Sequence, residues 1–282
     1  MKISISIPTY NRLDHIEILS KSLKEVLGIE RHNIRIYDDY SSEFSLDRLS
    51  DLFPNVKKIS RNEYNLGADR NLYHIMKDFI KSRDDVLFVC DSDLIVHAQC
   101  LLFIEEYLDQ TDGVMSVYNS ALHPVKDKIN SNFVTKKSIG AAGSIYTRSM
   151  VLNILKNIPE EFSNYLDWAI SFYLNSMDKK IYVSQRSYVQ HIGIKGENNN
   201  LLALDYGVNF PPVTEFEKQQ MAVFYEEFFI AYTSITPYQV VKHHYRRKFM
   251  GLLKGLMIKL LGYKFTLRVL SFKKKQLDKK NK

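Results

Sequence analysis

Two carboxylates one residue apart, Asp91 and Asp93, follow the apolar run 86–90. Just past a buried strand, such a pair puts hard oxygen ligands at a sheet edge. They suit Mg²⁺ or Mn²⁺, ions that also take phosphate oxygens and waters. Two further polar clusters follow apolar runs in the same way: Thr9-Tyr-Asn-Arg12 after residues 2–7, and Asp38-Asp39 with Ser41-Ser42 after residues 33–37. A lone Asp-x-Asp is weak evidence, because acidic turns are common on surfaces. Three clusters at successive strand ends fit a surface-turn explanation less well, since ligands of open α/β sheets bind outside the carboxyl ends of the strands.

The elements that must position these groups alternate. Residues 2–7, 33–37, 86–90 and 114–117 read as strands, while 13–27, 68–79 and 101–108 carry apolar residues at helical spacing. This rhythm predicts an α/β fold with a mostly parallel sheet and flanking helices. Beyond residue 119 the pattern loosens. Residues 140–143 read as a flexible loop, 148–158 and 162–174 as helices, 181–189 as one extended segment, and 191–201 as a polar loop. Thr214-x-x-Glu217 is a capping-box start for a helix toward Tyr232. The expected division is residues 1–209 as the α/β domain and 210–282 as a helical, basic C-terminal extension.

The chain has 282 residues, of which 45% are hydrophobic and 25% charged, an ordinary globular composition that excludes a mostly disordered or collagenous protein. The net charge of +7 is the sum of two unlike parts. Residues 242–282 hold 14 Lys and Arg against one acid, Asp278, so the rest of the chain is net acidic and no nucleic-acid partner is expected. Cys90 and Cys100 lie in apolar surroundings, as small buried hydrophobes in a reducing compartment do. The N-terminal residues lack a secretory apolar core and no uncharged run is long enough to span a bilayer. The expectation is a cytoplasmic protein, at most peripheral at the inner face of the cell membrane. No Gly-x-Gly-x-x-Gly follows the first strand and no P-loop lysine motif occurs, so phosphates would be held by metal and side chains.

Four motifs in order, Ile5-Ser-Ile-Pro-Thr-Tyr-Asn-Arg12, Tyr37-Asp-Asp-Tyr-Ser-Ser42, Asn65-Leu-Gly-Ala-Asp-Arg-Asn71 and Phe88-Val-Cys-Asp-Ser-Asp93, resemble the successive motifs of non-processive family-2 glycosyltransferases with the GT-A fold. The resemblance covers roughly the first two hundred residues. It implies a Mn²⁺- or Mg²⁺-dependent transferase taking a hexose or N-acetylhexosamine from a nucleotide-sugar donor, usually UDP-linked. Pro8, Thr9, Tyr10 and Asp39 would then line the base and ribose pocket, and Arg12 would also contact the donor. Arg70 would lie near the base or phosphates, Asp91 and Ser92 near the ribose or a metal-bound water, and Asp93 on the metal. His191 would be a third metal ligand or a diphosphate contact, against the plainer reading of a structural histidine. Asp167 matches the family's acidic residue near the acceptor and would be the catalytic base of an inverting transfer. The residues themselves leave an exposed helix carboxylate open, because Phe162, Leu166, Ala169 and Tyr173 form the apolar face and Asp167 lies off it. Glu160 and Glu161 are the fallback bases. Trp168 would stack on a sugar or simply pack. Tyr40 stands where the family often has Gly or Asn, and the absence of a Gln-x-x-Arg-Trp motif and of membrane helices sets the chain apart from processive synthases.

In the extension, Leu252, Leu256, Leu260, Tyr263, Leu267 and Leu270 recur at steps of four and three and form one stripe free of Lys and Arg. An anionic membrane surface, the protein's own body and a second protomer are the three candidate partners for it, with Lys273-Lys-Lys275 favouring the membrane. A glycan or lipid-linked acceptor, and a bacterial surface polysaccharide as product, complete the expectation. The rival reading is a catalytically silent GT-A-fold protein that binds a nucleotide-sugar or acts as a scaffold. A nucleotidyltransferase is disfavoured by the missing glycine loop.

Overall fold

The computed structural model describes residues 1–194, 202 and 205–270. The chain runs through β1 (Ile3–Thr9), α1 (Leu13–Lys24), β2 (Asn33–Asp38), α2 (Leu46–Leu52), β3 (Val56–Arg61) and α3 (Ala68–Lys81). Next come β4 (Val86–Val89), β5 (Leu94–Val96), α4 (Cys100–Tyr107), β6 (Val114–Ser116), β7 (Val125–Lys128), β8 (Phe133–Lys136) and β9 (Ser144–Thr147). They are followed by α5 (Arg148–Asn157), α6 (Leu166–Ser176), β10 (Ile181–Ser184), β11 (Val189–His191), α7 (Glu215–Thr233) and α8 (Pro237–Leu261).

The main sheet has the order β3-β2-β1-β4-β9-β6-β10-β8-β7. Its nucleus, β3-β2-β1-β4, is parallel, and β9 enters antiparallel between β4 and β6. β1 shows why the alternating Ile-Ser pattern belongs here. Ile3, Ile5 and Ile7 are fully buried, and so are Ser4 and Ser6, because a central parallel strand is covered on both faces. One face carries α1 and α4, through residues such as Ile16, Leu19 and Ile104. The other packs α3, α5 and α6, through Ile75, Phe79, Ile154 and Ile170. Both cysteines are free and buried, as expected.

Three local expectations are corrected. Residues 181–189 are two strands rather than one, because the chain leaves β10 in the main sheet and turns to pair β11 with β5 in a separate two-stranded sheet. The segment 162–174 starts as a 3₁₀ turn over Glu160–Tyr165, so Asp167 falls in the first turn of α6 and not along its body. The C-terminal stripe is not continuous. Gly262, with φ of 78°, ends α8; Leu252, Leu256 and Leu260 are exposed, whereas Tyr263 and fully buried Leu267 turn onto the core beneath α6. Part of the extension therefore does pack on the protein's own body. Most of the polar loop 191–201, and Lys273 to Lys275, lie outside the described residues.

The start of the extension is also tied to the body. The Thr214–Glu217 capping box forms as expected, and the second Glu217 oxygen, Oε1, accepts from the Ala98 N–H at 2.7 Å. Met221 and Phe224 of α7 pack with Ile95, Ile192, Ile194 and Phe210 against the small β5-β11 sheet.

Candidate active site

The neighbouring strands β2, β1 and β4 end together, which brings Thr9, Asp38-Asp39 and Asp91-Ser92-Asp93 to one edge. Their environments then divide their roles. Asp38 is fully buried: it accepts from Thr9 Oγ1 at 3.3 Å and the Ser41 N–H at 3.1 Å, and it is paired with Arg61. It organises the edge from within. Asp39 is also buried, and both its oxygens are engaged by the Asn65-Leu-Gly loop. Oδ1 accepts from Asn62 Nδ2 at 2.9 Å and Leu66 N–H at 2.8 Å, and Oδ2 from Gly67 N–H at 2.8 Å. The second and third motifs are thus two halves of one hydrogen-bonded unit. Arg70 is exposed at the start of α3, and Tyr10 and Tyr40 are exposed near the same edge, Tyr40 with φ of 71°. Pro8 is half-buried beside Thr9 at the end of β1, and Ser92 is half-buried between the two aspartates.

Between β1 and α1 the backbone is strained. Asn11 and Arg12 both occupy the left-handed region, at φ of 52° and 64°. Asn11 Oδ1 holds the turn by accepting from Ser42 N–H at 2.9 Å, and the Arg12 N–H donates to Glu43 Oε2 at 2.6 Å. The result is that Arg12 reaches across the strand ends and donates from Nη1 to Asp93 Oδ2 at 2.8 Å. His191 arrives from the other side. The β5-β11 pairing sets His191 opposite Leu94, and the Ile192 N–H donates to the Asp93 carbonyl at 2.9 Å. His191 Nε2 lies 3.1 Å from Asp93 Oδ2. Gly193 closes the cluster: a Cβ there would collide with both Asp93 Oδ2 and Arg12 Nη2.

These contacts set the ionisation. Burial alone would raise the Asp93 carboxyl, but the His191 and Arg12 charges outweigh it and hold the group well below the usual range. Burial pulls His191 down, and the Asp93 carboxylate more than reverses this, so its imidazole is raised. Asp91 lacks an equivalent cation; burial and then the Asp93 charge push it up to about 7. Asp93 offers a hard carboxylate oxygen and His191, once its proton is displaced, an imidazole nitrogen, a mixed pair that could hold Mn²⁺ and suits the all-oxygen preference of Mg²⁺ less. Among the described residues no group of three His, Cys, Asp or Glu is arranged to hold a metal ion.

Asp91 and His191 face a cavity of about 150 Å³ whose other walls come from Tyr118, His123, Lys136, Asp205 and residues 140–142. The 140–143 loop is therefore a wall of this chamber. Lys136 is buried, and its ammonium donates to the Ser120 carbonyl at 2.6 Å; burial lowers it to about 8 against the opposing pull of Asp205. Ser120 Oγ donates to Asp205 Oδ1 at 2.5 Å, and His123 Nδ1 lies 2.8 Å from Ser138 Oγ. Sequence reasoning missed Tyr118, His123, Lys136 and Asp205. None sits in a motif, and only the folding of β8 beside β10 and the return of the chain at residue 205 bring them together.

Asp167 is not among the cavity's lining residues. It is half-buried in the first turn of α6, where Oδ1 accepts from the Trp168 N–H at 2.6 Å and the charge meets the helix N-terminus. Its charge also reaches Tyr146 on β9, whose hydroxyl is raised chiefly by burial. Glu160 is paired with Lys77 at 3.3 Å, and Glu161 with Arg268 at 3.7 Å. Trp168 packs against Phe172 with Lys254 4.1 Å from its ring centre.

The fold is similar to those of solved structures. The structure of GalNAc-T7 with UDP, GalNAc and Mn²⁺ matches with a TM-score of 0.54 and 12% identity over 65% of this chain and 42% of that one. S. aureus TarS 1–349 matches with a TM-score of 0.49 and 16% identity over 67% of this chain and 60% of that one. The chain spans 61% or less of the length of each of the TarS and GalNAc-T7 structures it matches. No curated protein matches its sequence. The model of glycosyl transferase family 2 matches residues 4–158, more than half of the chain and all four motifs. The chain belongs to glycosyl transferase family 2.

Proposed function

We propose that this glycosyltransferase moves a hexose or N-acetylhexosamine from a UDP-sugar to a hydroxyl of a glycan or lipid-linked acceptor, with inversion, in the synthesis of a bacterial surface polysaccharide. The observation that carries this reading is the pair of buried Asp93 and half-buried His191 at 3.1 Å, which joins the carboxyl edge of the sheet to the adjoining cavity. A family-2 fold with its acidic cluster at the strand ends supports a nucleotide-sugar donor. GalNAc-T7 was solved with UDP and GalNAc, which makes UDP-hexosamines the first donors to test.

Each group then has a task. Thr9, Tyr10 and the Asp39-held loop frame the nucleoside end of the edge. Arg12 places a fixed cation beside the diphosphate position and orients Asp93. Asp93 and His191 would hold Mn²⁺ or Mg²⁺, which when bound supplies Lewis-acid stabilisation of the charge gathering on the departing nucleoside diphosphate. The chamber past Asp91, with its Lys136, His123 and Asp205, takes the sugar and the incoming hydroxyl. Asp167 would remove the acceptor proton from the face opposite the leaving group, as inversion requires.

A donor screen tests the reading: UDP-hexoses and UDP-N-acetylhexosamines, with and without Mn²⁺, read by nucleoside diphosphate release and by the anomeric configuration of the product. Metal-stimulated release from one donor, giving an inverted linkage, is the expected result. The helix-capping bond of Asp167 favours one second reading, a silent nucleotide-sugar binder. It predicts a UDP-dependent thermal shift with no release from any donor.

A further inference from the structure

α8 presents a face that the body does not use. Tyr238, Tyr245, Phe249, Leu252, Leu256 and Leu260 are between 52% and 71% exposed. Their spacing puts them on one stripe roughly 100° wide. Lys242, Arg246, Lys248 and Lys259 flank that stripe, and all four are exposed. The opposite side of the helix holds the body: Arg247 Nη2 donates to the Leu122 carbonyl at 3.4 Å, and Lys254 lies over the Trp168 ring. The apolar stripe therefore points away from the body. No acid occurs between Pro237 and Leu277, and no described helix is long and apolar enough to cross a membrane.

We infer that this outward stripe of α8, with its flanking cations, is a docking surface for an anionic lipid bilayer. The inference deepens the proposed transfer to a lipid-linked acceptor, and rests on that reading only for its purpose. Charge decides between the occupants. A second copy meeting the same face about a two-fold axis would set Lys242, Arg246, Lys248 and Lys259 against their own counterparts, whereas anionic headgroups neutralise them. The residue types agree: aromatic and leucine side chains enter the acyl boundary while lysines reach the headgroups, which is how a helix lies in a membrane interface. Gly251 and Gly255 weaken the helix in water and leave room along it, so an apolar surface adds order to α8.

The test is vesicle flotation of the full chain with phosphatidylglycerol–phosphatidylcholine vesicles against phosphatidylcholine alone. The wild type is expected to bind the anionic vesicles at least tenfold more tightly. Phe249→Glu with Leu256→Glu, and separately Lys248→Glu with Lys259→Glu, should each lower that binding tenfold or more while the UDP-dependent thermal shift is kept. The lysine pair changes only exposed side chains and serves if the apolar pair fails to fold. Equal binding to both vesicle types, no binding at low salt, or retention by either folded variant overturns the inference. So does a vesicle-free dimer in light scattering that the apolar pair dissociates, since the second copy then occupies the stripe. Flotation needs no sugar donor, so absence of transferase activity would sink the proposed function and leave this result readable.

Discussion

His191 Nε2 stands 3.1 Å from Asp93 Oδ2, and the same oxygen accepts from Arg12 at 2.8 Å. One carboxylate oxygen thus joins three distant parts of the chain: the strained turn after β1, the acidic motif after β4 and the end of β11. Asp93→Asn keeps the shape and removes the charge. It should lower nucleoside diphosphate release at least a hundredfold and abolish Mn²⁺ stimulation, while His191 returns toward an ordinary imidazole titration measurable by NMR. Full activity in this variant would refute the metal role.

Gly193 lies where no side chain fits, against Asp93 and Arg12 together. Gly193→Ala should displace that pair and cost about 1–3 kcal/mol of stability by denaturant unfolding, with a larger proportional loss of activity than of folded protein. Wild-type turnover in the folded variant would show that the pair tolerates movement.

Asp39 fastens the Asn65-Leu-Gly loop through two backbone N–H groups and the Asn62 amide. Asp39→Ala leaves these donors without their acceptor, at a cost of about 1–3 kcal/mol for each group that stays buried. Amide exchange at Leu66 and Gly67 should accelerate, and UDP affinity should fall with it. A loss of UDP affinity without faster exchange would assign Asp39 to the base directly.

Asp167→Asn separates binding from chemistry. The UDP-dependent thermal shift should persist, and transfer should drop by about 10²–10⁴, the range typical for removal of a general base. Unchanged transfer would leave Asp167 as an N-terminal helix carboxylate alone.

His97 is fully buried, with Tyr188 and Phe210 edge-on at 5.4 and 5.9 Å. Burial lowers its pKa below 6.5, more than Glu217 restores, and His15, His32 and His123 shift in the same direction. At these four histidines the unfolded chain therefore binds more protons than the folded one below about pH 6.5. The stability they contribute above that pH is lost as pH falls from 6.5 toward the folded values; His191 and Asp91, both raised, oppose this. His97→Gln should make the melting temperature fall less, or rise more, than in the wild type as the pH goes from 7 to 5. A profile of His97→Gln parallel to wild type would show that His97 takes no part.

Much of the fold was legible because its signals are local. The strand at 2–7, the helices at 68–79 and 148–158 and the capping box at Thr214 rest on periodicity and neighbouring side chains, and all formed close to their expected bounds. The short strands β5, β7, β8 and β9 were not legible, since three or four residues carry too little pattern to separate a strand from a loop. Gly262 reads in the sequence only as a weak point, because the Leu spacing continues across it, while the backbone does not.

By itself the sequence determined the order of polar clusters at the ends of apolar runs, the acidic pair Asp91 and Asp93, and the family those motifs belong to. Each is a property of short stretches of chain. Only the tertiary structure decided which aspartate does what: Asp38 and Asp39 are consumed by internal hydrogen bonds, while Asp93 meets Arg12, 81 positions away, and His191. It alone assembled Tyr118, Lys136 and Asp205 into a chamber, and it turned the leucines of α8 outward but Leu267 inward. The physical reason is that a side chain's role depends on its burial and its partners. Both are set by contacts between segments that the sequence holds far apart.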